Sequence, residues 1–282
     1  MRAMRPSRVL AKLRAGETAI AFKLNLADAR AAEIAARAGF DCIWTDLEHV
    51  PNDLASIEQS VWAAKSQDVD VMVRVARGSY SDYIRPLELD AAGIIVPHVM
   101  SLADAQAVAR TTRFHPLGRR PVDGGNADGA YGQIEFTEYL KQANDQRFVV
   151  VQIEDPEALP ELDAIAAVPG IDMLFFGPGD FSHAIGAPGQ WDDPRIADAR
   201  CRVAAAARKH GKFAGTVAST ANFEELAGLG YGFLNIGADV LGLRQYCQSI
   251  MAAVTKRATG ENKSIYAALP AAAEPTGHGG GS

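Results

Sequence analysis

A chain of 282 residues, 48% apolar and 22% charged, can bury a sizeable core as one large α/β domain or as two smaller ones. A formal charge of -6 and a pI near 5.5, without a Lys/Arg stripe interleaved with aromatics, argue against nucleic acid as the partner. Met1 to Arg8 is basic but no apolar h-region follows, and no run of about 18 apolar residues occurs, so neither a secretory signal nor a membrane span is expected.

Ser7 to Arg14 reads as a short helix, a cover for the bottom of the domain rather than a strand within it. A β-like run, a polar residue or two and an amphipathic helical run then repeat every 20 to 30 residues or so. Ala21-Phe-Lys-Leu24 leads to a helix from about Asp28 to Ala38, and Asp41-Cys-Ile-Trp-Thr-Asp46 to one from about Asp53 to Ser66. Val71-Met-Val-Arg-Val75 precedes a helix near Tyr80 to Leu89, and Gly93-Ile-Ile-Val-Pro97 one from Leu102 to Thr111. The polar, glycine-rich segment His115 to Gly132 is too long for a routine connection and is expected in the mouth of the site. Phe148 to Glu154 and Met173 to Phe176 supply two strands around a helix near Leu159 to Ala167. Pro194 to His210 is helical, Phe213 to Val217 a strand, Phe223 to Leu229 a helix, Gly232 to Ile236 the final strand and Leu241 to Lys256 the last helix.

Continuous rather than alternating apolar runs mark strands buried on both faces, and eight strand–helix pairs are the count of a closed barrel. A doubly wound open sheet is the alternative, but no G-x-G-x-x-G or G-x-x-x-x-G-K-[ST] loop stands in the right place. The expected fold class is α/β: a single (β/α)8 TIM barrel over residues 1–260 with a short N-terminal helix, and a flexible C-terminal tail over 261–282, Ala/Pro/Gly-rich from Ala267. Cys42, Cys201 and Cys247 are odd in number and lack C-x-x-C spacing, which reads as buried structural thiols in a reducing cytoplasm.

Barrel sites are built at the carboxyl ends of the strands. That rule selects Asp46, Glu48 and His49 after the second strand, Arg74 in the third, His98 after the fourth, Gln152, Glu154 and Asp155 on the fifth, and Asp180 and His183 after the sixth. Glu154 and Asp180 each close an apolar run, and two facing carboxylates suit one divalent ion whose shell is completed by waters or a chelating substrate. Spacing alone equally allows two helix caps or partners of rim arginines. Gly177-Pro-Gly179 lets backbone N–H groups crowd inward toward a substrate carboxylate, although a tight turn uses the same residues. Asp46 and His49 are either a proton-handling pair or an ordinary helix-start cluster. A guanidinium inside a strand needs an anion, and for Arg74 that is a substrate, Glu48 or Asp46.

Ala31-Ala-Glu-Ile-Ala-Ala-Arg-Ala-Gly-Phe40, Asp46-Leu-Glu-His49 with Pro51-Asn-Asp53, Val73-Arg74, Val96-Pro97, Val151-Gln-Ile-Glu154 and Phe176-Gly-Pro-Gly-Asp-Phe-Ser182 together resemble the HpcH/HpaI aldolase family over about Leu10 to Ala258. These are metal-dependent pyruvate aldolases of 4-hydroxy-2-oxoheptanedioate and 2-keto-3-deoxy-sugar-acid type. The resemblance implies that Glu154 and Asp180 hold magnesium, manganese or cobalt, that His49 with Asp46 handles the proton, and that Arg74 grips the oxygens of pyruvate and the aldehyde. It further implies Gln152 beside the metal ligand, backbone at Gly179 and Asp180 for the pyruvate carboxylate, and a homo-oligomer, commonly a hexamer built as a trimer of dimers, in which the last helix packs on a neighbouring barrel. The chain departs from the family pattern at Gly118-Arg-Arg-Pro-Val-Asp-Gly-Gly125, His98 and His183, so Arg119, Arg120, Asp123, His98 and His183 are candidates for a different acceptor pocket. Alternatives are an acyl-coenzyme A lyase of the citrate-lyase type, a decarboxylase of an oxaloacetate-like acid, and a non-enzymatic scaffold.

Overall fold

The computed structural model describes residues 3–26 and 28–255; the tail expected over 261–282 and the domain boundary at 260 lie outside the described residues. Helix α1 (Arg8–Arg14) precedes β1 (Ala19–Lys23), α2 (Ala29–Arg37), β2 (Cys42–Asp46), α3 (Leu54–Lys65), β3 (Asp70–Arg74), α4 (Tyr80–Glu88), β4 (Gly93–Val96) and α5 (Leu102–Thr112). Then come α6 (Phe136–Gln146), β5 (Phe148–Ile153), α7 (Leu162–Ala166), β6 (Met173–Phe176), α8 (Pro178–Ala184), α9 (Pro194–Lys209), β7 (Phe213–Ala218), α10 (Phe223–Leu229), β8 (Phe233–Ala238) and α11 (Asp239–Thr255). The strands pair in parallel in sequence order, and β1 closes on β8, giving the expected barrel. Among the described residues no helix is long and apolar enough to cross a membrane.

Strand alternation divides the apolar residues into two layers. Outward positions such as Ile43, Val71, Val73, Ile94, Val149, Val151 and Leu174 pack under the helices. Inward positions, among them Ala21, Trp44, Met72, Ile95, Phe148, Val150, Phe175 and Phe233, fill the barrel. Large rings fit there because a neighbouring strand supplies no side chain: a Cβ at Gly93 would lie 2.3 Å from the Phe148 ring. Two residues beyond the apolar layer, the same alternation aims Lys23, Asp46, Arg74, Gln152 and Asn235 inward, and all five are buried.

The bottom of the barrel is closed by α1, as expected. The Ser7 side chain caps the helix through the Leu10 N–H and donates to Asp70 at 2.6 Å, while Arg8 and Lys12 hold Asp41. Val9, Leu10 and Leu13 plug the barrel interior.

Two expectations are corrected. The segment 115–132 does not form this barrel's mouth: it leaves the carboxyl end of α5 and leads through α6 to the start of β5, on the side of the amino ends of the strands. Arg113, where it starts, bonds to the carbonyls of Arg147 and Gly170 and to Asp172, at the starts of β5 and β6. Its interior is a cluster in which Arg120 pairs with Asp128, Asp128 accepts from the Tyr139 hydroxyl, and Arg120 lies 4.7 Å over the Phe114 ring. The cysteines are free, but only Cys42 is buried; Cys201 and Cys247 fall on the outer faces of α9 and α11.

Candidate active site at the carboxyl ends of the strands

The β2 and β3 ends are registered Asp46 against Arg74. Arg74 donates from Nε to Asp46 Oδ1 at 3.0 Å and from Nη2 to Oδ2, and its Nε lies 3.2 Å from Glu48 Oε2. The Glu48 backbone N–H also donates to Asp46 Oδ1, at 2.9 Å. Burial works to raise the Asp46 carboxyl, but the hydrogen bonds and charge of Arg74, with Lys23 adding to them, hold it well below the usual carboxylate range. Lys23 Nζ stands 3.1 Å from Asp46 Oδ2. Burial and the Arg74 charge lower its pKa. Both cations lie over Trp44, at 5.2 Å for Lys23 Nζ and 5.4 Å for Arg74 Cζ, and Trp44 rests edge-on against Phe175.

Glu154 follows β5 and is 1% exposed. Its Oε1 accepts the His98 backbone N–H at 3.0 Å and its Oε2 accepts from Gln152 Nε2. Burial above all, and the neighbouring Asp180 charge, push this carboxyl up to about 7, against the pull of His98 and Arg74. Asp180 sits in the first turn of α8, exposed to the mouth. This helix is where a tight turn was an equal reading: Gly177 is its N-cap and Pro178 its first residue. A Cβ on Gly177 would stand 2.5 Å from Glu154 Oε2 and 2.8 Å from Glu154 Cβ, so only glycine leaves the carboxylate in place.

Among the described residues no three His, Cys, Asp or Glu side chains converge as a ready metal cage. The donor set nevertheless fits a hard divalent ion with an open shell. Two carboxylates lie within electrostatic range of each other, one buried and raised, and Gln152 Oε1 is buried without a hydrogen-bond partner beside them. A cation there favours the ionised form of Glu154 that burial disfavours.

His98 is more central than a pocket-rim residue. Its backbone is left-handed, at φ 52, which turns its N–H onto Glu154. The ring places Nδ1 3.0 Å from Asp155 Oδ2 and Nε2 3.7 Å from Glu48 Oε1, and burial notwithstanding, these carboxylates raise its pKa. Arg74, Glu48, His98 and Glu154 thus form a continuous polar belt around one side of the mouth. His49 does not pair with Asp46, whose oxygens are taken by Arg74, Lys23 and the Glu48 N–H. It stands at the rim, with Nε2 3.5 Å from Glu48 Oε2. His183 is exposed on α8 and Gly179 exposed before Asp180. Arg119 and Asp123 are exposed, and Arg120 buried, at the opposite end of the barrel. Lys23 and Trp44 are the site residues that sequence reasoning passed over. The inward alternation Ala19, Ala21, Lys23 was the signal available.

Comparison with known proteins bears on the family and the fold. The profile of a family described as HpcH/HpaI aldolase/citrate lyase matches residues 20–245. The chain is 36% identical over 229 residues to a hydroxypyruvate/pyruvate aldolase of Pseudomonas aeruginosa, covering 81% of this chain and 85% of that protein. It is 34% identical over 231 residues to a 2-keto-3-deoxy-L-rhamnonate aldolase of Klebsiella pneumoniae, covering 80% and 85%. The crystal structure of an HpcH/HpaI aldolase from Desulfitobacterium hafniense superposes with a TM-score of 0.84 at 28% identity, over 91% of this chain and 98% of that one.

Proposed function

Since the chain belongs to the HpcH/HpaI aldolase/citrate lyase family and is a carbon–carbon lyase acting on small molecules, we propose that it joins pyruvate to an aldehyde, or splits the resulting 4-hydroxy-2-oxo acid, with a divalent metal ion as cofactor. The observation that carries this reading is one mouth holding both halves of the required machinery. The Glu154 and Asp180 carboxylates stand beside the rigidly braced Arg74, and both Asp180 and Arg74 lie within electrostatic range of Glu154.

Glu154 and Asp180 would hold magnesium, manganese or cobalt, with Gln152 fixing the Glu154 carboxylate and the backbone at Gly179 and Asp180 facing the pyruvate carboxylate. When bound, such an ion supplies Lewis-acid polarisation of the 2-oxo group. Arg74 presents its guanidinium to the oxygen on which charge develops as a methyl proton leaves. Because Asp46 grips it through both oxygens, Arg74 needs no reorganisation at that moment. His49 takes the methyl proton through a water, with Glu48 rather than Asp46 as its neighbour, and returns it to the new alkoxide after the carbon adds to the aldehyde. Pyruvate with hydroxyaldehydes and semialdehydes, with and without EDTA and added manganese, tests the reading. Pyruvate consumption that requires the metal supports it, and none with any aldehyde overturns it.

The protein is further read as a cytoplasmic homo-oligomer, a hexamer assembled as a trimer of dimers. Leu243, Tyr246 and Ile250 form an exposed apolar stripe on α11 that a second copy would cover.

A further inference from the structure

We propose that Lys23 is a specificity-determining residue: its ammonium, beside the Arg74 guanidinium and above the Trp44 ring, seats a carboxylate that one reacting partner carries in addition to the carboxylate of the pyruvate unit. This rests on the aldolase reading of the same site.

Position comes first. Ala19 and Ala21 are the inward residues of β1 below Lys23, and their small size lets the lysine reach the layer of Asp46 and Arg74 rather than rise above it. Redundancy comes second. Asp46 is fully satisfied by Arg74 through both oxygens and by the Glu48 N–H, so neutralising it does not require a second cation. A lysine side chain only 8% exposed gives up most of its hydration, and one contact to Asp46 with the face of Trp44 replaces only part of it. Unused donors come third. An ammonium carries three N–H donors. Among the described residues Nζ has one polar partner, Asp46 Oδ2, and the hydrogen bonds of Arg74 run through Nε and Nη2, leaving Nη1. Both cations touch the same carboxylate oxygen, which sets them close enough to share a second carboxylate between them. A neutral aldehyde uses none of this. The carboxylate belongs either to the donor, as in a 2-oxo dicarboxylic acid, or to the acceptor, as in an aldehyde acid.

The test compares wild type, Lys23→Met and Lys23→Arg, metal-loaded and checked for folding by circular dichroism, on three pairs: pyruvate with glycolaldehyde, pyruvate with glyoxylate, and oxaloacetate with glycolaldehyde. The readout is the ratio of kcat/KM for each acid-bearing pair to the neutral pair. In Lys23→Met the ratio falls at least ten-fold for one of the two acid-bearing pairs, which identifies the partner bearing the carboxylate, and Lys23→Arg recovers most of it. An unchanged ratio in Lys23→Met, or equal losses on all pairs, overturns the proposal and leaves Lys23 acting only through Asp46. Calorimetric titration of the same proteins with oxaloacetate and with pyruvate separates this from the aldolase reading. If wild type turns over no pair, that reading fails, and Lys23 stands only if Lys23→Met erases a preference for the dicarboxylate.

Discussion

Gly177→Ala is the smallest change that should disable the site without removing any of its groups. Gly177 has φ -98, a backbone open to alanine, so the effect is purely steric. The new Cβ would meet Glu154 Oε2 at 2.5 Å and Glu154 Cβ at 2.8 Å, where ordinary contact begins at 3.4 Å. The carboxylate must therefore retreat by about 0.9 Å. Rotation alone does not relieve the second clash, because that atom is anchored to the strand end. Glu154 is 1% exposed and held by the His98 N–H and by Gln152, so the local backbone shifts too. Overpacking of this kind costs about 1–3 kcal/mol, and at about 2–4 °C per kcal/mol for a chain of this size it is visible by calorimetry. Displacing a ligand or its support typically lowers metal affinity by about 10–100-fold. Manganese titration of the folded variant by electron paramagnetic resonance reads the affinity directly. Gly228→Ala is the control, since a Cβ there meets nothing within 4 Å. Gly177→Ala with manganese affinity within two-fold of wild type would refute the placement of Glu154 as a ligand.

Arg74→Lys keeps the charge but loses the fork, and should lower kcat/KM by about 10²–10³, the range for removing one oxyanion donor. Stopped-flow aldol assays check this, and a loss under three-fold counts against it. Arg74→Ala would cost stability as well as turnover: Arg74 is 4% exposed against a fully buried Asp46, and breaking such a pair costs about 3–5 kcal/mol, offset in part by Lys23. The Asp46 carboxyl is depressed in the folded state, so its pairing stabilises fully above the unfolded value near 3.9 and is lost as pH falls toward the folded one. Asp46→Asn should therefore flatten the acid limb of the stability–pH curve below about pH 4 in urea titrations, and an unchanged limb contradicts the assignment. Leu243→Glu with Tyr246→Glu should shift the assembly to smaller species by light scattering, and an unaltered mass removes α11 from the interface.

The barrel was legible because eight apolar runs, each followed by a helical period, leave few other folds. The positions of Glu154 and Asp180 just beyond β5 and β6 were legible because each follows such a run. What escaped depended on direction and on alternation. The 115–132 segment looked like a mouth loop on length and polarity, yet a connection that leaves α5 and returns through α6 to the start of β5 falls at the bottom of the barrel, where Arg120 and Asp128 neutralise each other out of water. Helix α6 is capped by Glu135, an unusual cap, and buries only Tyr139 and Ala143, too thin a stripe to stand out. Asp46 and His49 are neighbours in sequence, but Asp46 ends a strand pointing inward while His49 lies three residues along the loop, and the register with β3 gives Asp46 to Arg74 instead. Lys23 was hidden inside a run read only for its apolar residues. The place of His98 against Glu154 follows from a left-handed backbone that no sequence period reveals.

The central claim is that Glu154 and Asp180 hold a divalent ion that makes the methyl group of pyruvate acidic. Deuterium exchange into pyruvate, followed by proton NMR without any aldehyde, isolates that step from the unknown acceptor. Wild type with manganese should exchange the methyl protons, while EDTA-treated protein and a folded Glu154→Gln variant should fall to the background rate. Exchange that persists undiminished in both would contradict the account.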